Sequence, residues 1–94
     1  MSLKFSKGMV LKLLQKYSVT KAEIEECFFN RENGFLEDIR EQHKTIPPTQ
    51  WFIAKTDHGR LLKVVFIKFN DGTIEIKTAY KPNEQEVKIY EKYA

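Results

Sequence analysis

The sequence predicts a single α+β domain over residues 1–94: two N-terminal helices, an antiparallel sheet of three to four strands, then a C-terminal helix, with the helices against one face of the sheet. Three observations predict it. Apolar residues recur every three or four positions up to about Asn30, β-branched and aromatic residues crowd residues 51–80, and a helix-opening pattern follows Pro82.

In chain order, Met9, Val10, Leu13, Leu14 and Tyr17 share one face of a first helix, with Lys12, Gln15 and Lys16 outside. Thr20 and Glu23 have capping-box spacing, and Val19 and Ile24 can staple the entry of a second helix that runs to about Asn30. That helix would bury Ile24, Cys27 and Phe28 and leave Glu25 and Glu26 in water. Asn33-Gly34 breaks the pattern. "FLEDIRE" alternates weakly, as a short strand would, whereas Pro47 and Pro48 keep "HKTIPPTQ" out of a sheet. Trp51–Lys55 and Arg60–Phe69 then read as strands joined by the tight turn "DHG", the second strand apolar enough to be covered on both faces. "NDG" at Asn70–Gly72 makes the next hairpin. Thr73–Tyr80 alternates, which places Ile74, Ile76, Thr78 and Tyr80 on one face and Glu75, Lys77 and Ala79 on the other. Asn83 and Glu86 repeat the capping-box spacing ahead of Val87 and Tyr90.

Composition narrows the function classes. With 41% hydrophobic and 31% charged residues, the chain is neither disordered nor membrane-spanning. No apolar run approaches the roughly 20 residues of a transmembrane helix. "MSLKFSKGMVLKLL" is too charged and too short in apolar residues for a secretory signal, which points to the cytoplasm. A single cysteine, Cys27, rules out an internal disulfide and suits a buried structural thiol. The net charge of +3 is unevenly spread: residues 1–19 carry +4, 20–41 carry −4 and 51–81 carry +3. A basic strand region behind an acidic segment suits a polyanion on one face.

There is no Gly-rich phosphate loop, no metal-ligand spacing between His43 and His58, and no cofactor motif. What remains is a cationic and aromatic set: His43 in the Pro-rich loop, His58 and Arg60 at the first hairpin, and Lys77, Tyr80 and Lys81 around the last strand. Metal-independent RNA cleavage needs such groups. A base takes the ribose 2′-OH proton, fixed cations stabilise the phosphorane, and an acid protonates the leaving 5′-oxygen. Trp51, Lys55 and Lys77 would add stacking and phosphate contacts. Plainer readings stand beside these: Arg60 pairing with Asp57, His58 as a turn residue, Tyr80 packed on the last helix, and Trp51 covering the sheet.

"KYSVTKAEIEECFFN", "WFIAKTDHGRLLKVVFI" and "IEIKTAYKPNEQEVKIYEKY" stand in the order, and nearly at the spacing, of BrnT-type toxins of the RelE/ParE toxin–antitoxin superfamily. The chain resembles that family over roughly residues 15–93. The resemblance implies a RelE-like fold with an antiparallel sheet, and a cytoplasmic bacterial endoribonuclease that blocks translation by cutting RNA, on or off the ribosome. It also implies a cognate antitoxin that covers the basic site, and operator DNA bound only through that antitoxin. Carried over by position, His43 becomes the acid or base, and Arg60 and Lys81 the phosphorane-stabilising cations. The chain departs from the family at Tyr80, where an arginine is usual, and at its start, where "MSLKFSKG" offers only a stub of the family's opening strand. Tyr80 can stack on a base or donate a proton but cannot neutralise a phosphorane. That departure makes a catalytically weakened or inactive RNA- or protein-binding module the alternative.

Overall fold

The computed structural model describes residues 2–39 and 45–94. The elements run β1 (Ser2–Phe5), α1 (Met9–Tyr17), α2 (Lys21–Asn30), β2 (Leu36–Glu37), β3 (Thr49–Lys55), β4 (Leu61–Lys68), β5 (Thr73–Tyr80) and α3 (Glu84–Tyr93). The protein is α+β, but its sheet has five strands in the order β1-β5-β4-β3-β2. The three to four antiparallel strands expected from the sequence are therefore an undercount. The stub at the N-terminus is the missing strand, and it lies parallel to β5, which makes the sheet mixed. Leu3 pairs with Ile74 and Phe5 with Ile76, closing an edge of β5 that would otherwise be open for part of its length.

Helices cover both faces of the sheet, not one. Phe52 and Ala54 of β3 look toward α2: Phe28 lies 4.7 Å from Phe52 between ring centroids, and the Cys27 thiol reaches the Ala54 carbonyl at 3.7 Å. Their neighbours on β3 alternate to the other face. There Trp51 meets Tyr90 of α3 at 5.7 Å, and the Tyr90 hydroxyl donates to the Gly34 carbonyl at 2.7 Å. The main core, on the α2 side, holds Leu13, Val19, Ile24, Cys27, Phe52, Leu62, Val64, Phe66 and Ile76, all essentially inaccessible.

Local signals explain the helix starts. The capping box at Thr20 and Glu23 is complete, as is the one at Asn83 and Glu86. The first helix departs from its expected face. Only Leu13 is fully buried, while Val10 and Leu14 are 44% and 50% exposed. Packed chiefly against one strand, β5, α1 can bury only a narrow stripe.

β5 does not alternate cleanly. Val65 pairs with Thr78 but the next residue, Phe66, pairs with Ile76, so Lys77 is the extra residue of a β-bulge. Before the bulge, Ile74 and Ile76 face the main core. After it, Ala79 takes the core face beside Val64, and Thr78 and Tyr80 turn to the α3 face beside Val65 and Lys63. One inserted residue thus carries Tyr80 across the sheet.

Candidate functional site

Of the expected site residues, Lys55, Arg60, Tyr80 and Lys81 lie at one end of the sheet, where β3 ends, β4 begins and β5 ends. Pairing of Lys55 with Leu61 and of Lys63 with Tyr80 sets that end. The β3–β4 turn is built by Gly59 at a φ of 85°, by its amide bond to Thr56 O at 2.9 Å, and by the Arg60 amide bonding Thr56 Oγ1 at 3.1 Å. The turn is tied to α2. Asp57 N donates to Glu26 Oε1 at 2.9 Å, and Asn30 Nδ2 donates to Asp57 Oδ1 at 2.9 Å and to Lys55 O at 3.0 Å. Glu26 is therefore a structural acceptor and not a merely solvated partner of Glu25.

Arg60 reaches past the turn to the α1–α2 corner, not to Asp57. Its Nη1 donates to Ser18 O at 2.6 Å and its Nη2 to Tyr17 O at 2.8 Å; Nη1 also meets Glu23 Oε2 at 3.2 Å. Ser18 is the C-cap of α1, in the left-handed region at a φ of 54°. Arg60 thus satisfies carbonyls that a helix end leaves open while it ion-pairs with the first turn of α2. Burial alone would raise the Glu23 carboxyl, but the Thr20 amide and the Arg60 guanidinium outweigh it and hold it below the usual carboxylate range. The positive charge expected to face a phosphorane is compensated by a carboxylate.

Tyr80 joins a second compensated group on the α3 face. Glu86 Oε2 accepts from Lys63 Nζ at 2.6 Å and from the Tyr80 hydroxyl at 2.9 Å, while its Oε1 accepts the Asn83 amide at 2.9 Å in the capping box. The Lys63 and Glu86 side chains are only 11% and 17% exposed. Lys63 Nζ also stands 4.5 Å over the Trp51 ring and 5.7 Å from that of Tyr80. Burial and the bond to Glu86 raise the Tyr80 phenol above its ordinary value. Burial opposes ionisation of Glu86 too, yet the bonds from Lys63, Asn83 and Tyr80 prevail and lower its pKa.

The remaining residues spread out. Lys81 is exposed, just before the buried Pro82. Trp51 is 9% exposed, its ring between Lys63 and Tyr90, so it covers the sheet. Lys55 is exposed at the end of β3, and Lys77 projects from the bulge with its Nζ 3.7 Å from Glu75. His58 is an exposed turn residue. His43 lies outside the described residues, so its approach to Arg60 and Lys81 is not part of the geometry. Among the described residues no cluster of three or more His, Cys, Asp or Glu could hold a metal ion. A cleft of about 820 Å³ opens beside Lys55, between Asn30, Asp57, Ile53, Tyr90 and Glu91, and excludes Arg60, Tyr80 and Lys81.

Sequence reasoning missed Lys63, Glu86 as more than a cap, and Tyr17, whose ring lies 5.6 Å from that of Tyr80. A signal for Lys63 existed: a lysine inside the otherwise apolar run "LLKVVF" has to find a partner when the strand is covered. No protein-family model matches the chain, and no curated protein matches it.

Proposed function

We propose that this chain is a divergent BrnT-like domain of the RelE/ParE toxin–antitoxin superfamily that binds RNA and a cognate antitoxin, and that it lacks the arginine-based ribonuclease chemistry of that family. One observation carries the reading: the Arg60 guanidinium is spent on Glu23 and on the Tyr17 and Ser18 carbonyls. An arginine so engaged holds two helices together. Three of its five N–H groups are taken and its charge is compensated by Glu23, which leaves a weakened clamp for a phosphorane. The opening strand Ser2–Phe5 supports the family assignment, since BrnT-type chains begin with one. Exposed Lys55, Lys77 and Lys81 at and near the end of the sheet support contact with a polyanion. Operator DNA would be reached through the antitoxin.

A second reading, the endoribonuclease, is favoured by Tyr80: burial and the bond to Glu86 raise its phenol, which keeps the proton that an acid must deliver, and exposed Lys81 follows it in the chain. The two readings part in one experiment. The purified chain, wild type and Tyr80→Phe, is incubated with total RNA and with ribosomes, and its expression is scored for growth arrest with and without the neighbouring reading frame. Saturable RNA binding with no cleavage and no arrest is expected. Cleavage by the wild type that Tyr80→Phe abolishes would overturn the binding reading in favour of the nuclease.

A further inference from the structure

We propose that α1 is a docking face for an anionic lipid bilayer, with Val10, Leu11 and Leu14 entering the acyl boundary and Lys12 and Lys16 meeting the phosphates of the headgroups. The contact is peripheral, since no helix among the described residues is long and apolar enough to cross a membrane, and it is independent of the RNA reading above.

Successive residues of a helix stand about 100° apart around its axis. From the buried Leu13, the order around α1 is therefore Val10, Leu14, Leu11, Gln15, Lys12 and Lys16. Leu13 points into the main core, whereas Val10, Leu14 and Leu11 are 44%, 50% and 56% exposed. A lone exposed leucine is ordinary, but three aliphatic side chains on adjoining turns make a patch. Exposed Gln15, Lys12 and Lys16 continue that surface and give it a cationic flank. The charge around it has one sign. The first nineteen residues contain four lysines and no carboxylate. The first turn of α1 holds no acidic residue, although one would stabilise a helix start. Beyond the far end of α1, Glu23 is compensated by Arg60.

An anionic bilayer uses both halves of this surface. A helix lying in the headgroup region places its apolar side in the acyl boundary and its lysines among the phosphates. The long stems of Lys12 and Lys16 let their ammonium groups stay at headgroup level while the leucines go deeper. RNA would take the lysines alone, because an aliphatic side chain neither stacks on a base nor bonds a phosphate. The helix face is also convex, so it offers no groove to an extended peptide. The net charge of +3 draws the whole chain toward the same anionic surface.

The test is co-sedimentation of the full chain with vesicles of phosphatidylcholine alone and of phosphatidylcholine mixed with phosphatidylserine. The anionic vesicles are expected to bind at least about tenfold tighter, and added salt should weaken that binding. Lys12→Ala should cost about fivefold, the effect of one lysine at such a surface. Leu11→Gln with Leu14→Gln should weaken binding by at least about tenfold. Ile89→Gln, on α3 across the sheet, should stay within about twofold. Because the double variant could loosen α1, Leu11→Trp supplies a second measurement. Its emission should shift to the blue with anionic vesicles and be quenched by brominated acyl chains, over a constant background from the buried Trp51. No binding of the wild type to anionic vesicles overturns the proposal. Binding that survives the double glutamine change, or emission that ignores the vesicles, does the same. A dimer that light scattering shows the double variant to separate would give the face to a second copy, and a double variant that loses RNA but not vesicles would give it to RNA. Either result overturns the membrane contact.

Discussion

Glu86→Ala is expected to destabilise the protein by about 2–4 kcal/mol, more than any exposed substitution. Glu86 receives Lys63 Nζ at 2.6 Å, the Tyr80 hydroxyl at 2.9 Å and the Asn83 amide at 2.9 Å. Removing one partner of a fully buried ion pair costs about 3–5 kcal/mol, because the other charge stays behind without compensation. Here the side chains keep 11% and 17% of their exposure, so water reaches the orphaned lysine and the loss falls to about 2–3 kcal/mol. Losing half of the α3 capping box adds about 0.5 kcal/mol. Urea unfolding followed by circular dichroism measures the effect. With m of roughly 1–2 kcal/mol/M, the midpoint should fall by roughly 1–4 M at constant m. The double variant Lys63→Met with Glu86→Leu removes both charges and should recover at least about 1 kcal/mol relative to Glu86→Leu alone. A loss below about 0.5 kcal/mol, or a double variant no better than the single, would refute the idea that this pair fastens α3. The pH dependence has a definite sign. Glu86 has a lowered folded pKa, so its contribution is present above the ordinary carboxyl value of 4.5 and disappears as pH falls through the lower folded value. Acid should therefore cost the wild type stability that Glu86→Leu has already lost.

Arg60→Lys should lower stability by about 1 kcal/mol, roughly 4–8 °C in Tm, because an ammonium cannot serve Tyr17 O, Ser18 O and Glu23 together; the figure is kept small since the arginine is 36% exposed. RNA affinity measured on the folded variant should change by less than about threefold, in contrast to a residue that grips phosphate. Cys27, inaccessible and with its thiol pushed up to about 12 by burial and by Glu26 and Glu23, should not react with a thiol reagent at pH 8 until denaturant is added; fast labelling of the native chain would show that α2 opens. Deleting Lys77 should keep the fold, since it removes the extra residue and leaves Val65 opposite Thr78, Phe66 opposite Ile76, Ala79 on the core face and Tyr80 on the α3 face, whereas an alanine inserted after Thr78 should cost more than about 4 kcal/mol, because it swings Tyr80 into the core and Ala79 out of it. Thermal melts distinguish the two.

The parts of the fold that were legible are those written within a few residues. Thr20 and Glu23, and again Asn83 and Glu86, stand three apart and close the same hydrogen-bonded box that their spacing predicts. Gly59 and Gly72 turn the two hairpins where "DHG" and "NDG" predict them, each at a positive φ. The strand starts and ends between Trp51 and Tyr80 lie within two residues of expectation. The site was legible only as a set of residue types. Arg60, Tyr80 and Lys81 do stand at one end of the sheet, but their roles depend on partners far along the chain. Arg60 meets Glu23 across 37 residues and Lys63 meets Glu86 across 23, and nothing in local periodicity encodes either pairing.

By itself, then, the sequence determined the α+β class, both capped helix starts, the hairpins and the basic character of the strand region, because hydrophobic period, capping and turn chemistry act over one turn of chain. Only the tertiary structure decided that the N-terminal stub becomes a parallel edge strand, that helices lie on both faces, that Lys77 is a bulge, and that Arg60 and Lys63 are held by carboxylates. These outcomes depend on which distant surfaces come to share a low-dielectric neighbourhood. There a charge without a partner is costly enough to select one from anywhere in the chain.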